Sequence, residues 1–219
     1  MAQKLNNNAA TFIENGRYEK AIEYLAISLK SSQQGKQEKE TLPDASVMDY
    51  CIKFSRVCRR KFHGCKAAEE ENEGYIYCEP IRISPEYKKR RLRMNMLAMI
   101  ITYNLALSHH LIAMRIEGTK ERKKMLHKSQ RLYELVYRWQ IEENVDSLGF
   151  NMIIANNLGQ IHRASKNQRK HKICMQHLLS TIMYALVNKD EEELELVEME
   201  GFLQNTSPFI FQDHCAGAA

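Results

Sequence analysis

Three observations predict an all-α protein built of helix hairpins. Only 9 glycines and 4 prolines punctuate 219 residues, too few for a turn-rich β-barrel or a collagen-like chain. Apolar residues recur at helical spacing over most of the sequence. Short polar breaks such as Asn15-Gly16 and Ser165-Lys166-Asn167 separate these segments and fold neighbours back on each other. With 44% apolar and 27% charged residues, the chain has enough apolar surface to bury a core, which excludes wholesale disorder.

The first element covers residues 3–14, with Leu5, Ala9, Phe12 and Ile13 on a common side, and Gly16 can take the positive φ that ends a helix. Residues 18–30 make its antiparallel partner, with Ala21, Leu25, Ser28 and Leu29 on one face and Ile22 beside them. Residues 31–41 are polar and loop-like. Pro43-Asp44-Ala45-Ser46 then starts a helix reaching residue 60, carried by Val47, Tyr50, Cys51, Phe54 and Cys58. After the acidic Glu69, Glu70, Glu71 and Glu73, residues 75–83 (YIYCEPIRI) read as extended chain, being rich in aromatic and β-branched side chains. Pro80 makes this an edge strand or a draped strap, because proline has no N–H to donate to a ladder.

Ser84-Pro85-Glu86 has the cap, proline and acid of a helix start, and the helix is expected to reach about residue 116, with a break near Arg93. Thr119 is expected to cap the next helix, which carries Met125, Leu126, Ser129, Leu132, Tyr133, Val136, Tyr137 and Trp139. A third hairpin pairs residues 148–162 with 169–186. Residues 190–200 are acidic and read as an exposed helix or last helical turns. Phe202, Leu203, Phe209, Ile210 and Phe211 predict an end segment folded back on the stack. The domain reading is one helical domain over residues 1–204, with an insertion at 31–84, and a packing segment at 205–219.

The net charge of +5 favours solubility and weak attraction to anions without specifying nucleic acid. The first residues lack the apolar core of a secretory signal. Residues 94–114 are hydrophobic, yet Asn95, Thr102, Tyr103, Asn104, Ser108, His109 and His110 interrupt them, which predicts a buried helix rather than a membrane span. Cys51, Cys58, Cys65, Cys78, Cys174 and Cys215 are then reduced thiols, and the expected location is cytoplasmic or nuclear.

One pattern occurs three times. Asn6-Asn7-Asn8-Ala9-x-x-Phe12 precedes Ala21-x-x-x-Leu25. Tyr103-Asn104-Leu105-Ala106-x-x-His109 precedes Ser129-x-x-x-Tyr133. Asn156-Asn157-Leu158-Gly159-x-x-His162 precedes His171-x-x-x-Met175-x-x-Leu178. The pattern resembles the tetratricopeptide repeat, in which a small residue lets helix A approach helix B and larger residues fill the seam. Ala9, Ala106 and Gly159 match the small helix-A site, and Phe12, His109 and His162 the aromatic that follows. Ala21, Ser129 and His171 match the helix-B small site, and Leu25, Tyr133 and Met175 its large neighbour. The intervals between these sites depart from the regular period of about 34 residues, and His171 is large for its place. The resemblance implies a degenerate, insertion-rich superhelix of stacked hairpins; a plain three-hairpin bundle is the alternative.

What the resemblance implies for function is a concave helix-A face that holds a segment of another protein. Its residues here would be Asn6, Asn7, Ala10, Tyr103, Asn104, Leu107, His110, Asn156, Asn157, Gln160 and Arg163. Asparagine offers a donor and an acceptor together, so a row of them can pair with an extended backbone whatever its side chains. The family's carboxylate-gripping variety needs basic residues on this face, and Asn6, Ala10, Ile153 and Asn157 stand in their places, so that activity is not expected.

Two other functions remain open. Lys88, Lys89, Arg90, Arg91 and Arg93, with Arg163, Arg169 and Lys170, are the candidates for a nucleic-acid-binding face. A scaffold that self-associates through apolar surface is the other. His171, Cys174 and His177 spread too widely on a helix to hold a metal. No phosphate loop, dinucleotide fingerprint, metalloprotease helix or nucleophile elbow occurs, so neither an enzyme nor a cofactor is expected.

Overall fold

The computed structural model describes residues 1–33, 44–59, 74–85, 94–145, 147–188 and 196–210. It is all-helical apart from one extended strap, and the described residues form no β-ladder. The helices are α1 (Ala2–Glu14), α2 (Tyr18–Gln33), α3 (Asp44–Arg59), α4 (Met94–Arg115), α5 (Thr119–Glu142), α6 (Leu148–Ala164), α7 (Gln168–Asn188) and α8 (Leu196–Ile210). Internal contacts group them into two compact units: Met1–Lys66 with Cys78–Ser147, and Ala67–Tyr77 with Leu148–Ala219.

In the first unit α1 pairs with α2, α2 packs on α4, and α4 pairs with α5. The α1–α2 break forms as its sequence dictates: Gly16 sits at φ 70°, and Arg115 reaches back to donate from Nη1 to the Gly16 carbonyl at 3.0 Å. The same guanidinium lies over the Tyr18 ring, 4.4 Å from its centroid, tying the end of α4 to the first turn. α4 is apolar on every side, and by length and composition alone could cross a membrane; instead 72% of its apolar window is buried within the protein. Three of its polar residues have partners inside: Ser108 donates to the Asn104 carbonyl at 2.8 Å, and Tyr103 and Asn104 reach the strap described below. Thr102 Oγ1 and the Nδ1 atoms of His109 and His110 are buried without a hydrogen bond. Thr119 opens α5 rather than capping it. Gly118 is the N-cap, with no side-chain cap bond.

In the second unit α6 pairs with α7, and α8 packs on both. Lys166, at φ 57°, turns the chain between α6 and α7. α8 runs across position 204, where the sequence suggested that an end segment begins, and its Phe209 stacks edge-on to His171 with centroids 5.6 Å apart.

The small seam positions are buried as close packing requires. Ala9, Ala21, Ala106 and Ser129 are fully enclosed, as are Leu25, Tyr133, Met175 and Leu178. Ser129 donates to the Ala106 carbonyl at 2.8 Å. His171, too large for its position, solves the same problem differently: its Nδ1 meets the Gly159 carbonyl at 2.9 Å. Gly159 leaves the space that the Met175 methyl fills, since a Cβ there would lie 2.1 Å from Met175 Cε and 3.3 Å from Cys174 Cβ. His162 is buried, while Phe12 and His109 are only half-buried; Phe12 stacks edge-on with Tyr24 at 5.0 Å.

Candidate functional site

Residues 74–84 are extended, and asparagines of α1, α4, α6 and α8 hold them. An extended residue points its N–H and C=O toward the same edge, and its neighbour points both the opposite way. A primary amide presents an acceptor and a donor side by side, so one asparagine can satisfy both groups of every second residue.

In the first unit the strap occupies residues 78–84. Asn7 of α1 accepts from the Ile83 N–H at 2.8 Å and donates to the Ile83 carbonyl at 2.7 Å. Asn104 of α4 does the same for Ile81, at 2.8 Å each way, and also donates to Asn6 Oδ1 at 2.9 Å. Asn6 donates in turn to the Ile81 carbonyl at 3.1 Å. The Tyr103 hydroxyl donates to the Glu79 carbonyl at 3.1 Å. On the opposite edge Ser55 of α3 accepts from the Arg82 N–H at 2.6 Å. Pro80 falls between odd-numbered residues that the asparagines grip, so its missing N–H costs none of these contacts. Ile81 and Ile83 are enclosed, each 1% exposed.

The second unit repeats the grip on residues 74–77. Asn157 of α6 accepts from the Tyr77 N–H at 3.0 Å and donates to its carbonyl at 2.9 Å. Asn205 of α8 holds Tyr75 in the same bidentate manner, at 3.0 and 2.7 Å, and Asn156 adds a donor to the Tyr75 carbonyl at 3.1 Å. Phe202 meets both tyrosine rings, edge-on to Tyr75 at 5.6 Å and stacked with Tyr77 at 6.2 Å. Gln160 and Arg163 border Gly74, where a Cβ would come within 2.8 Å of each.

The residues expected to line an open groove therefore have an occupant already. Asn6, Asn104, Asn156 and Asn157 are fully buried, and their amide edges are taken by the chain's own backbone. Leu107 is buried, and His110 lies edge-on to Tyr133 at 6.2 Å. Burial, with the Arg122 charge as a smaller contribution, lowers the His110 pKa to about 4. Burial likewise raises the Cys51 thiol to about 11, which keeps it protonated and unreactive. Of the basic candidates, Arg169 and Lys170 are exposed at the start of α7 and Arg163 is half-exposed. Lys88, Lys89, Arg90, Arg91 and Arg93 lie outside the described residues. Among the described residues no three His, Cys, Asp or Glu side chains gather to hold a metal ion.

Sequence reasoning overlooked four contributors: Asn205, Ser55, Thr11 and Glu14. A polar amide flanked by Phe202 and Phe209 in α8 was the available signal for Asn205.

Gly201 gives a direct test of the second grip. A Cβ there would lie 2.5 Å from the Tyr75 ring. Helix propensity alone makes Gly201→Ala stabilising by about 1 kcal/mol, whereas overpacking against a held ring costs about 1–3 kcal/mol. We expect net destabilisation in thermal unfolding with a loss of tyrosine near-UV dichroism. A raised melting temperature with the dichroism retained would contradict the packing.

Compared with known proteins, the chain matches no family model, no curated sequence and no solved structure.

Proposed function

We infer that this chain is a protein-interaction module of the tetratricopeptide-like kind, a superhelix whose helix-A faces take an extended protein segment by its backbone. The reading rests on one observation: asparagines from α1, α4, α6 and α8 hold the N–H and C=O of alternate residues in an extended chain. Such contacts carry no side-chain selectivity, so another extended segment can make them once the chain's own strap yields its place. The strap is then a stand-in for the partner, and binding is an exchange of one extended segment for another.

The test places a photo-crosslinking side chain at Thr11, half-buried on α1, and a control at Ile173, exposed on α7. After nuclease treatment of the lysate, a protein partner is expected to crosslink from position 11 and not from position 173. Partners that vanish with nuclease would favour the basic-face alternative.

A second reading, self-association, is supported by the outer side of α7. There Ile173, Met183, Tyr184, Leu186 and Val187 are each more than half exposed. It predicts a mass that rises with concentration in sedimentation and falls back to monomer in Met183→Lys/Val187→Lys.

A further inference from the structure

The asparagine grip of the first unit is indifferent to sequence, but beside it lies a contact that is not. Arg82 of the strap is only 9% exposed. Its Nε donates to Glu14 Oε1 at 3.2 Å and its Nη2 to Glu14 Oε2 at 2.5 Å, the two-pronged match of guanidinium to carboxylate. Nη1 donates to the Asn7 main-chain carbonyl at 3.0 Å, and Nη2 also to Thr11 Oγ1 at 3.1 Å.

All these acceptors come from residues 7, 11 and 14, one face of α1 at helical spacing. Asn7 serves twice, its side chain holding the Ile83 backbone and its carbonyl holding the Arg82 guanidinium. A slide of the strap by two residues would keep the backbone pairing but bring Pro80 or Ser84 to the acceptors. The arginine thus fixes the register that the asparagines alone leave free. Lysine, a point charge with no planar fork, could not fill the same set of acceptors.

We propose that the α1 face formed by the Asn7 carbonyl, Thr11 and Glu14 is an arginine-reading pocket that selects what the first unit holds. Its partner is an extended segment carrying arginine between two β-branched apolar residues, and Arg82 occupies the pocket in cis as a built-in competitor. The proposal rests on the segment-binding reading above.

The probe is a fluorescent peptide of residues 74–85 (GYIYCEPIRISP), with a twin in which methionine replaces the arginine, titrated by anisotropy against full-length protein. The arginine peptide is expected to bind at least tenfold more tightly than its twin. It should also bind at least tenfold more tightly to the Arg82→Met chain, whose pocket is vacated, than to the natural chain. Glu14→Gln, which keeps the shape but removes the charge, is expected to abolish the preference between the peptides; it replaces Arg82→Met as the deciding variant if circular dichroism shows that chain unfolded. Equal binding of both peptides would overturn the pocket while leaving segment binding intact. Binding of neither peptide to any folded variant would overturn segment binding, and the pocket with it.

Discussion

Asn104→Asp is expected to cost at least about 4 kcal/mol, although it changes one atom group and almost no volume. The natural amide accepts from the Ile81 N–H and donates to the Ile81 carbonyl and Asn6 Oδ1, in a fully buried place. A carboxylate keeps the acceptor and loses both donations, setting negative charge against two oxygens. Unsatisfied buried polar groups cost about 1–3 kcal/mol each and an uncompensated buried charge about 3–5 kcal/mol. Asn104→Ala removes both Asn104 contacts from Ile81, whose carbonyl keeps the Asn6 donation, and adds no charge, so it should be the milder change. Urea denaturation at pH 7 gives the comparison. Lowering the pH should narrow the gap between Asn104→Asp and the natural chain, because a protonated carboxyl can donate again. Stability within about 1 kcal/mol of the natural chain would mean that the amide does not hold the strap. Asn157→Asp repeats the experiment on Tyr77 in the second unit.

The second large effect is loss of stability in acid. His110 is buried and neutral, its pKa lowered from 6.5 to about 4 by desolvation first and by the Arg122 charge second. The unfolded chain takes up a proton below about 6.5 and the folded chain does not. Stability from this group is therefore complete above that pH and falls as the pH drops toward 4. The loss is about 2 kcal/mol at pH 5. His109 acts in the same direction, since burial, with Lys128 as the smaller cause, also lowers its pKa to about 4. Denaturant midpoints at pH 7 and pH 5 should differ accordingly, and His110→Leu should flatten that dependence. An unchanged slope in His110→Leu would place the acid-sensitive group elsewhere.

Much of the architecture was legible because local chemistry sets it. Asn15-Gly16 ends α1 where a positive φ is available, and the polar interruptions of α4 marked it as a protein-buried helix in which Tyr103, Asn104 and Ser108 find partners inside. The asparagine stripe could also be read, since an amide at Asn6, Asn7, Asn104, Asn156 and Asn157 has an evident capacity for backbone pairing. Its occupant could not. An amide does not specify whose backbone it holds, and Asn7 and Ile83 meet across 76 positions of sequence. The Glu14–Arg82 pair spans 68 positions, and in the sequence both look like ordinary solvated charges. His171 broke the size rule because its ring nitrogen reaches the Gly159 carbonyl, an outcome that residue volume alone does not anticipate. The strap itself was visible as extended chain; that each unit would hold its own stretch of it by side-chain amides was a tertiary fact.

Amide hydrogen exchange at Tyr75, Tyr77, Ile81 and Ile83, resolved by NMR, tests the central claim most directly. If asparagine side chains hold this segment, those four amides and that of Arg82 exchange as slowly as amides within the buried helices, despite belonging to no regular secondary structure. Exchange at the rate of an open extended chain would contradict the account, since the asparagines would then have no occupant in solution.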